Sequence, residues 1–347
     1  MKSSLHLVGS IPLETAKEVF ETFGRPLGAH LACLPDGEVG FRRHWISRVH
    51  FQVFAIHPDI EVLQQPRPDG SVERLNPRDA SDSWRFRVRK GVEAIHFGEP
   101  GWRLGFARDA VNSFEIFKGL KRAGILPAHL RFQVSIPMVN SAAPPRVFAD
   151  GKSCATVRAA YAEALAAELG KILEHVPHHE LAIQWDCASE LQEAYQGGIE
   201  GQIAQVALSK AIPRTVLLGY HLCFGTLGGW PRFAPDDLGA AVQLANAFVA
   251  ASGRPVDWIH IPVLDRSDDA FFAPLQDLQV PQTRIYLGMV HNMARYSERL
   301  ATARRYLSDF GVGAFCGFGR MPASDMPRVL REHVEAVEAS AAVRALS

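Results

Sequence analysis

The sequence predicts a single (β/α)8 TIM barrel of α/β class, spanning residues 1–347 as one domain with an insertion between its second and third strands. Three observations carry that prediction. From residue 130 onward, short apolar or β-branched runs alternate with helical stretches, the pattern of parallel βαβ units. Eight strand candidates can be counted along the chain, the number a closed barrel requires. The chain has 347 residues, 47% of them hydrophobic, enough to fill one large core.

The elements follow in order. His6 to Pro12 reads as a short strand closed by Gly9 and Pro12, and Leu13 to Phe23 has helical periodicity with Thr15 near its start. Leu31 to Leu34 is a second short run, leading into the turn Pro35-Asp36-Gly37-Glu38-Val39-Gly40 and then Arg42, Arg43, His44 and Trp45. Residues 57–90 are polar, rich in Pro and Arg, and without a clear period, so they are expected to form an insertion or small lid. Ala107 to Ala123 is amphipathic, Arg131 to Pro137 is the third strand, and Ala155 to His175 is a long Ala-rich helix. Strands then fall at Leu181 to Asp186, Thr215 to Cys223, Val256 to Ile261, Arg284 to His291 and Val312 to Cys316. Helical segments separate them, and Ser324 to Ala342 closes the chain.

Charge and cysteine content exclude several classes. Lys plus Arg number 37 and Asp plus Glu 37, so no basic face for nucleic acid or a membrane surface is expected. No apolar run reaches the ~18 residues needed to cross a bilayer. The N-terminal stretch lacks the apolar region of a secretion signal, and the five cysteines have no framework spacing. A cytoplasmic protein with free thiols is the expectation.

In a barrel of this kind, active-site residues come from the C-terminal ends of the strands. Those ends carry Ser10, Asp36 with Glu38, Ser135, Asp186, His221 with Cys223, His260, His291 and Cys316. Residues two apart on a strand face the same side, so His221 and Cys223 can converge on one point. An imidazole nitrogen and a thiolate together suit zinc, although a buried cysteine beside a hydrogen-bonded histidine gives the same pattern. His291 is a candidate general base, or else a hydrogen-bonded core histidine. Asp186 is a candidate orienting group and Glu38 a reserve acid. Arg42 and Arg43 could clamp a carboxylate or phosphate, or lie on a solvated face. Asp36, Trp185 and Tyr220 complete the candidate substrate-binding set. Asp36 and Glu38 also suit a simple turn cap, and Cys33, Cys154 and Cys187 suit packing.

The motifs YHLCFG (220–225), DWIHIPV (257–263), LGMVH (287–291) and AFCGFGR (314–320) resemble the catalytic barrel of cobalamin-independent methionine synthase. LVGSIP (7–12) and IQWD (183–186) resemble that family's first and fourth strands, within the wider uroporphyrinogen decarboxylase/methionine-synthase-like superfamily. The turn PDGE (35–38) is similar to one in a single-barrel side branch. The resemblance implies zinc on His221, Cys223 and Cys316. The family's glutamate ligand on the sixth strand falls at Pro262 here, so His260 is the expected fourth ligand. Cys187 stands where the family has a glutamate, and one barrel leaves no room for the family's second, so folate dependence is not implied. The implied activity is transfer of an alkyl group, methyl in particular, to a zinc-activated thiol of a small-molecule substrate. A zinc-dependent lyase or hydrolase, and a non-catalytic zinc-stabilised binding protein, are the other readings.

Overall fold

The computed structural model describes residues 4–68, 75–98 and 103–344. Ten strands occur among them. β1 (Leu5–His6), β2 (Cys33–Pro35), β5 (Arg131–Pro137), β6 (Leu181–Cys187), β7 (Leu217–Leu222), β8 (Trp258–Pro262), β9 (Arg284–Gly288) and β10 (Gly311–Gly313) form one parallel sheet. Its order is β1-β10-β9-β8-β7-β6-β5-β2, so the strands run round in chain sequence. β1 and β2 are the two free edges of that order, and Ser4 N–H donates to His30 O at 3.1 Å between their approaches. The sheet is thus an almost closed barrel surrounded by helices.

β3 (Ile60–Gln64) and β4 (Arg85–Val88) pair antiparallel outside the barrel. They lie in the expected insertion, of which residues 69–74 lie outside the described residues. The stretch that shows no period in sequence still buries a face, because Trp84 and Phe86 stack at 5.7 Å and Phe86 meets Phe54 edge-on. Asp82, almost wholly buried, holds Arg67 and Arg78 beside this hairpin.

Two local departures have clear causes. The first strand is only Leu5–His6, because the Val8 carbonyl beyond it accepts side-chain N–H groups of Gln133 and Gln184 instead of a ladder bond. The seventh barrel strand, β9, ends at Gly288 rather than His291, where Met289 N–H turns back to Leu287 O. Thr15 caps its helix as expected, accepting from Glu18 N–H at 3.1 Å.

Register sets the interior layers. Asp186 pairs with His221, and His221 with His260, so all three stand at one height facing the barrel axis. One layer down, Gln184 pairs with Gly219 and Gly219 with Trp258. A Cβ on Gly219 would sit 1.9 Å from the Trp258 ring, so glycine there makes room for the indole. Gly288 does the same for the His260 imidazole, which a Cβ there would meet at 2.9 Å, and a Cβ on Gly313 would sit 2.7 Å from the His6 carbonyl. Outside the barrel, Trp185 and Tyr220 alternate toward the helices. Trp185 Nε1–H donates to Ser209 Oγ at 3.0 Å, and Tyr220 Oη bonds Ser209 and Ser252 at 2.8 Å each.

Candidate metal centre and its cavity

Two segments bring the candidate ligands together. His221 and Cys223 leave β7 on one side, with Cys223 N–H donating to Cys187 O at 3.2 Å to extend the β6–β7 ladder. Cys316 follows β10 in the run Cys316-Gly317-Phe318-Gly319, which lies flat on the loop after β1 and the backbone at Arg43. Phe318 N–H donates to Ser10 O at 2.6 Å. A Cβ on Gly317 would come 3.0 Å from Ser10 N, and one on Gly319 2.0 Å from Arg43 O, so only glycines allow this approach. The ligand atoms of His221, Cys223 and Cys316 then lie within 4.8 Å of one another, and the two sulfurs are 3.2 Å apart.

The hydrogen bonds fix which histidine nitrogen faces the sulfurs. His260 Nε2 lies 2.9 Å from Ala314 O, and a carbonyl only accepts, so this nitrogen carries the proton. Burial, with help from His221 and His6, holds the His260 pKa well below the usual value, so its Nδ1 is bare. His221 Nδ1–H therefore donates to His260 Nδ1 across 2.8 Å. What remains is His221 Nε2, buried, with no nitrogen or oxygen partner among the described residues and with the Cys223 sulfur as the group it interacts with. Burial alone would lower the His221 pKa, but the Cys223 sulfur and the Asp186 carboxylate outweigh it and raise it. Hydrogen bonding from Cys316 holds Cys223 well below the ordinary thiol range against its burial, with His221 and Gly225 N–H assisting, while Cys316 is pushed well above that range. One imidazole nitrogen and two sulfurs, one of them readily a thiolate, fit zinc, and three protein ligands leave a fourth position for another group.

A cavity of about 110 Å3 opens on this cluster. Asp186 and Glu38 both line it. Burial raises Asp186 to about 6, partly offset by His221 and by Gln184, whose Nε2–H donates to Asp186 Oδ1 at 2.8 Å. Burial and then the Asp186 charge push Glu38 well above the usual carboxyl range. Ser10 Oγ–H donates to Glu38, and Gly9 has no side chain because a Cβ would sit 2.6 Å from the carboxylate. Arg43, Trp45, Arg146, Arg232 and Arg320 also line the cavity, as do Pro77 and Ser83 from the insertion.

Several expected residues are placed elsewhere. His260 stands behind His221 with both ring nitrogens hydrogen-bonded, apart from the group in which the ligand-type atoms of His221, Cys223 and Cys316 converge. His291 donates Nε2–H to Val263 O at 2.7 Å and does not line the cavity, because β9 ends before it. Its pKa is lowered to about 4, by burial first and then by Arg299. Trp185 and Tyr220 face the helix layer, one residue out of phase with the interior, and touch no cavity space. Asp36 and Arg42 form a buried pair at 2.9 Å, with Ser113 Oγ–H also donating to Asp36 at 2.6 Å. That pair braces the turn behind the site, and Asp36 N-terminally caps the bend by accepting from Glu38 N–H at 2.8 Å. Of the substrate-binding set, Arg43 alone lines the cavity.

Sequence reasoning missed Arg146, Arg232 and Arg320. Each lies in a loop after a barrel strand, and Arg232 and Arg320 close the Gly-rich runs GTLGGWPR and CGFGR. Their position after strand ends is the signal that could have found them.

The fold is similar to that of solved proteins of one kind. A B12-independent methionine synthase from Shewanella sp. W3-18-1, in complex with selenomethionine, superposes with a TM-score of 0.61 at 12% identity, covering 99% of this chain and 97% of that one. A putative vitamin-B12 independent methionine synthase from Listeria monocytogenes gives 0.50 at 16% identity, covering 95% and 96%. At such identities the likeness establishes the barrel architecture. The sequence matches no protein-family model and no curated protein. No described helix is long and apolar enough to cross a membrane.

Proposed function

We propose that this chain is a zinc enzyme that transfers an alkyl group, methyl in the simplest case, to a thiol substrate. The observation that carries the reading is His221 Nε2, a buried nitrogen with no nitrogen or oxygen partner among the described residues, facing two cysteine sulfurs at the floor of a cavity. His221, Cys223 and Cys316 would hold the metal. Bound there, zinc supplies the Lewis acidity that keeps a substrate thiol in its thiolate form at neutral pH.

The chain's own groups account for the rest. His260 locks the His221 ring through its Nδ1, taking the place of the carboxylate or carbonyl that commonly supports a metal-bound histidine. The barrel wall buries Cys223, and the insertion adds Pro77 and Ser83 to the cavity lining. Asp186, near pH 6 in its titration and so largely ionised at neutral pH, takes the proton the entering thiol releases. The substrate sulfur then forms a bond to the alkyl carbon while the bond to the leaving group breaks, and the leaving group departs with that electron pair. Glu38, kept protonated by burial, is placed to give it a proton.

A lyase or hydrolase would use the same floor with water in the fourth position. The cavity beside the cluster disfavours a purely structural zinc, whose ligand set is closed. Cobalt substitution separates the readings. Addition of small thiols should shift the cobalt absorption and introduce a sulfur-to-metal charge-transfer band. Absorption unchanged by every thiol, with hydrolysis of an ester or amide panel, would replace alkyl transfer by the hydrolytic reading.

A further inference from the structure

Arg146, Arg232 and Arg320 reach the cavity from three different loops, after β5, β7 and β10. Their described partners are neutral. Arg232 Nη2–H donates to Gln192 Oε1, and Arg320 Nη1–H to Thr226 Oγ1 at 3.3 Å. Arg232 Nε is buried with no acceptor at all. The carboxylate whose charge reaches Arg146 is Glu193, and it is already held by Arg158 at 3.4 Å and by Asn140 and Gln202. The arginines also repel one another, since Arg232 lowers the pKa of both Arg146 and Arg320 after burial has done so.

The backbone holds this repulsion in place. Arg232 N–H donates to Gly225 O at 3.0 Å and Phe233 N–H to Phe224 O at 3.4 Å, which folds the loop onto the Cys223 segment. Gly225, at φ 77°, lets the Arg232 side chain lie against it, where a Cβ would sit 2.9 Å from Nε. Arg232 and Arg320 line the same cavity as Cys223 and Cys316. Asp186 and Glu38 are the carboxyl groups that line the cavity, against the guanidiniums of Arg43, Arg146, Arg232 and Arg320. Converging guanidiniums with unused donors are a receptor for oxyanions, which they bind through paired, charge-assisted hydrogen bonds.

We propose that Arg146, Arg232 and Arg320 form a subsite for a doubly charged oxyanion, so that the thiol substrate carries a phosphate monoester or a dicarboxylate a short chain away from its sulfur. This deepens the preceding functional reading and rests on the same cavity being the substrate site. Three positive charges exceed what one carboxylate neutralises, which is why the subsite selects a dianion.

The test is calorimetric titration of the zinc-loaded protein at physiological ionic strength with inorganic phosphate, malonate and acetate, with zinc content and thermal midpoint measured on each sample. A dianion should bind, acetate should bind at least about tenfold more weakly, and R320A or R146A should weaken the dianion about tenfold or more with the midpoint unchanged. R320K and R146K should restore part of the loss. Phosphate ahead of malonate indicates a phosphate monoester, and the reverse a dicarboxylate. Absence of dianion binding to the wild-type protein, or binding that the arginine variants leave intact, overturns the subsite. Arginine-dependent binding in protein that takes up no zinc sustains the subsite and removes the metal reading instead.

Discussion

Histidines and glutamines of the barrel interior spend their polar atoms on the protein, with the Trp258 indole nitrogen an exception, whereas several groups at the rim keep theirs unspent. In the interior, His6 Nε2 bonds Gln184 Oε1 at 2.7 Å, Gln133 and Gln184 amides serve the Val8 carbonyl, and His260 spends both ring nitrogens. At the rim, among the described residues, His221 keeps one nitrogen unspent, Arg232 keeps a buried donor, and Arg146, Arg232 and Arg320 line the cavity with no carboxylate at ion-pair distance. His221 and His260 are register partners with ring nitrogens 2.8 Å apart, yet His260 has both nitrogens hydrogen-bonded and His221 only one. A buried polar group left unsatisfied costs about 1–3 kcal/mol. The difference teaches where the fold spends its polar groups on itself and where it reserves them for something else.

The largest expected effect tests the rim. Cys223→Ser should lower zinc from about one per chain to near zero after dialysis, by elemental analysis, while circular dichroism stays native. Full metal retention by that variant would place the ligands elsewhere.

Acid should break the interior. Burial lowers His6 to about 3, so the unfolded chain binds a proton below pH 6.5 that the folded chain refuses. Stability is fully present above pH 6.5 and is lost as pH falls toward 3, by a few kcal/mol for this one group. Denaturant midpoints measured from pH 7 to 4 should decline, and His6→Gln should flatten the slope. Equal slopes in the two proteins would show that His6 does not carry it.

His260 joins the two regions. His260→Asn should weaken zinc binding by about 10–100-fold, the usual cost of losing the group that orients a ligand. Competition with a chromophoric chelator measures it, and an affinity equal to wild type would mean that the His221 ring needs no such support.

The smallest effect belongs to His291. His291→Asn should keep its zinc and change turnover by no more than a few-fold, since the side chain serves the Val263 carbonyl. A loss of about 100-fold or more in kcat would restore it as a proton-transfer group.

The chain alone determined the periodic parts of this protein. The alternation after residue 130 specified β5 to β10 and their helices, since burial on both faces leaves near-continuous apolar runs that sequence displays directly. Two-residue spacing put His221 and Cys223 on one side, and the resemblance added Cys316, which the structure brings to the same point. Only the tertiary structure decided the rest. Parallel register set His260 level with His221 and behind it, where spacing along one strand suggested a fellow ligand. The one-residue phase that aims Asp186 and His221 inward sends Trp185 and Tyr220 to the helices. The end of β9 at Gly288 withdrew His291 from the cavity. Arg146 sits in a one-turn 3-10 helix and Arg232 and Arg320 in loops, and no local pattern records that these three connections meet. Their convergence is a property of the closed sheet, whose rim places residues far apart in the chain around one cavity.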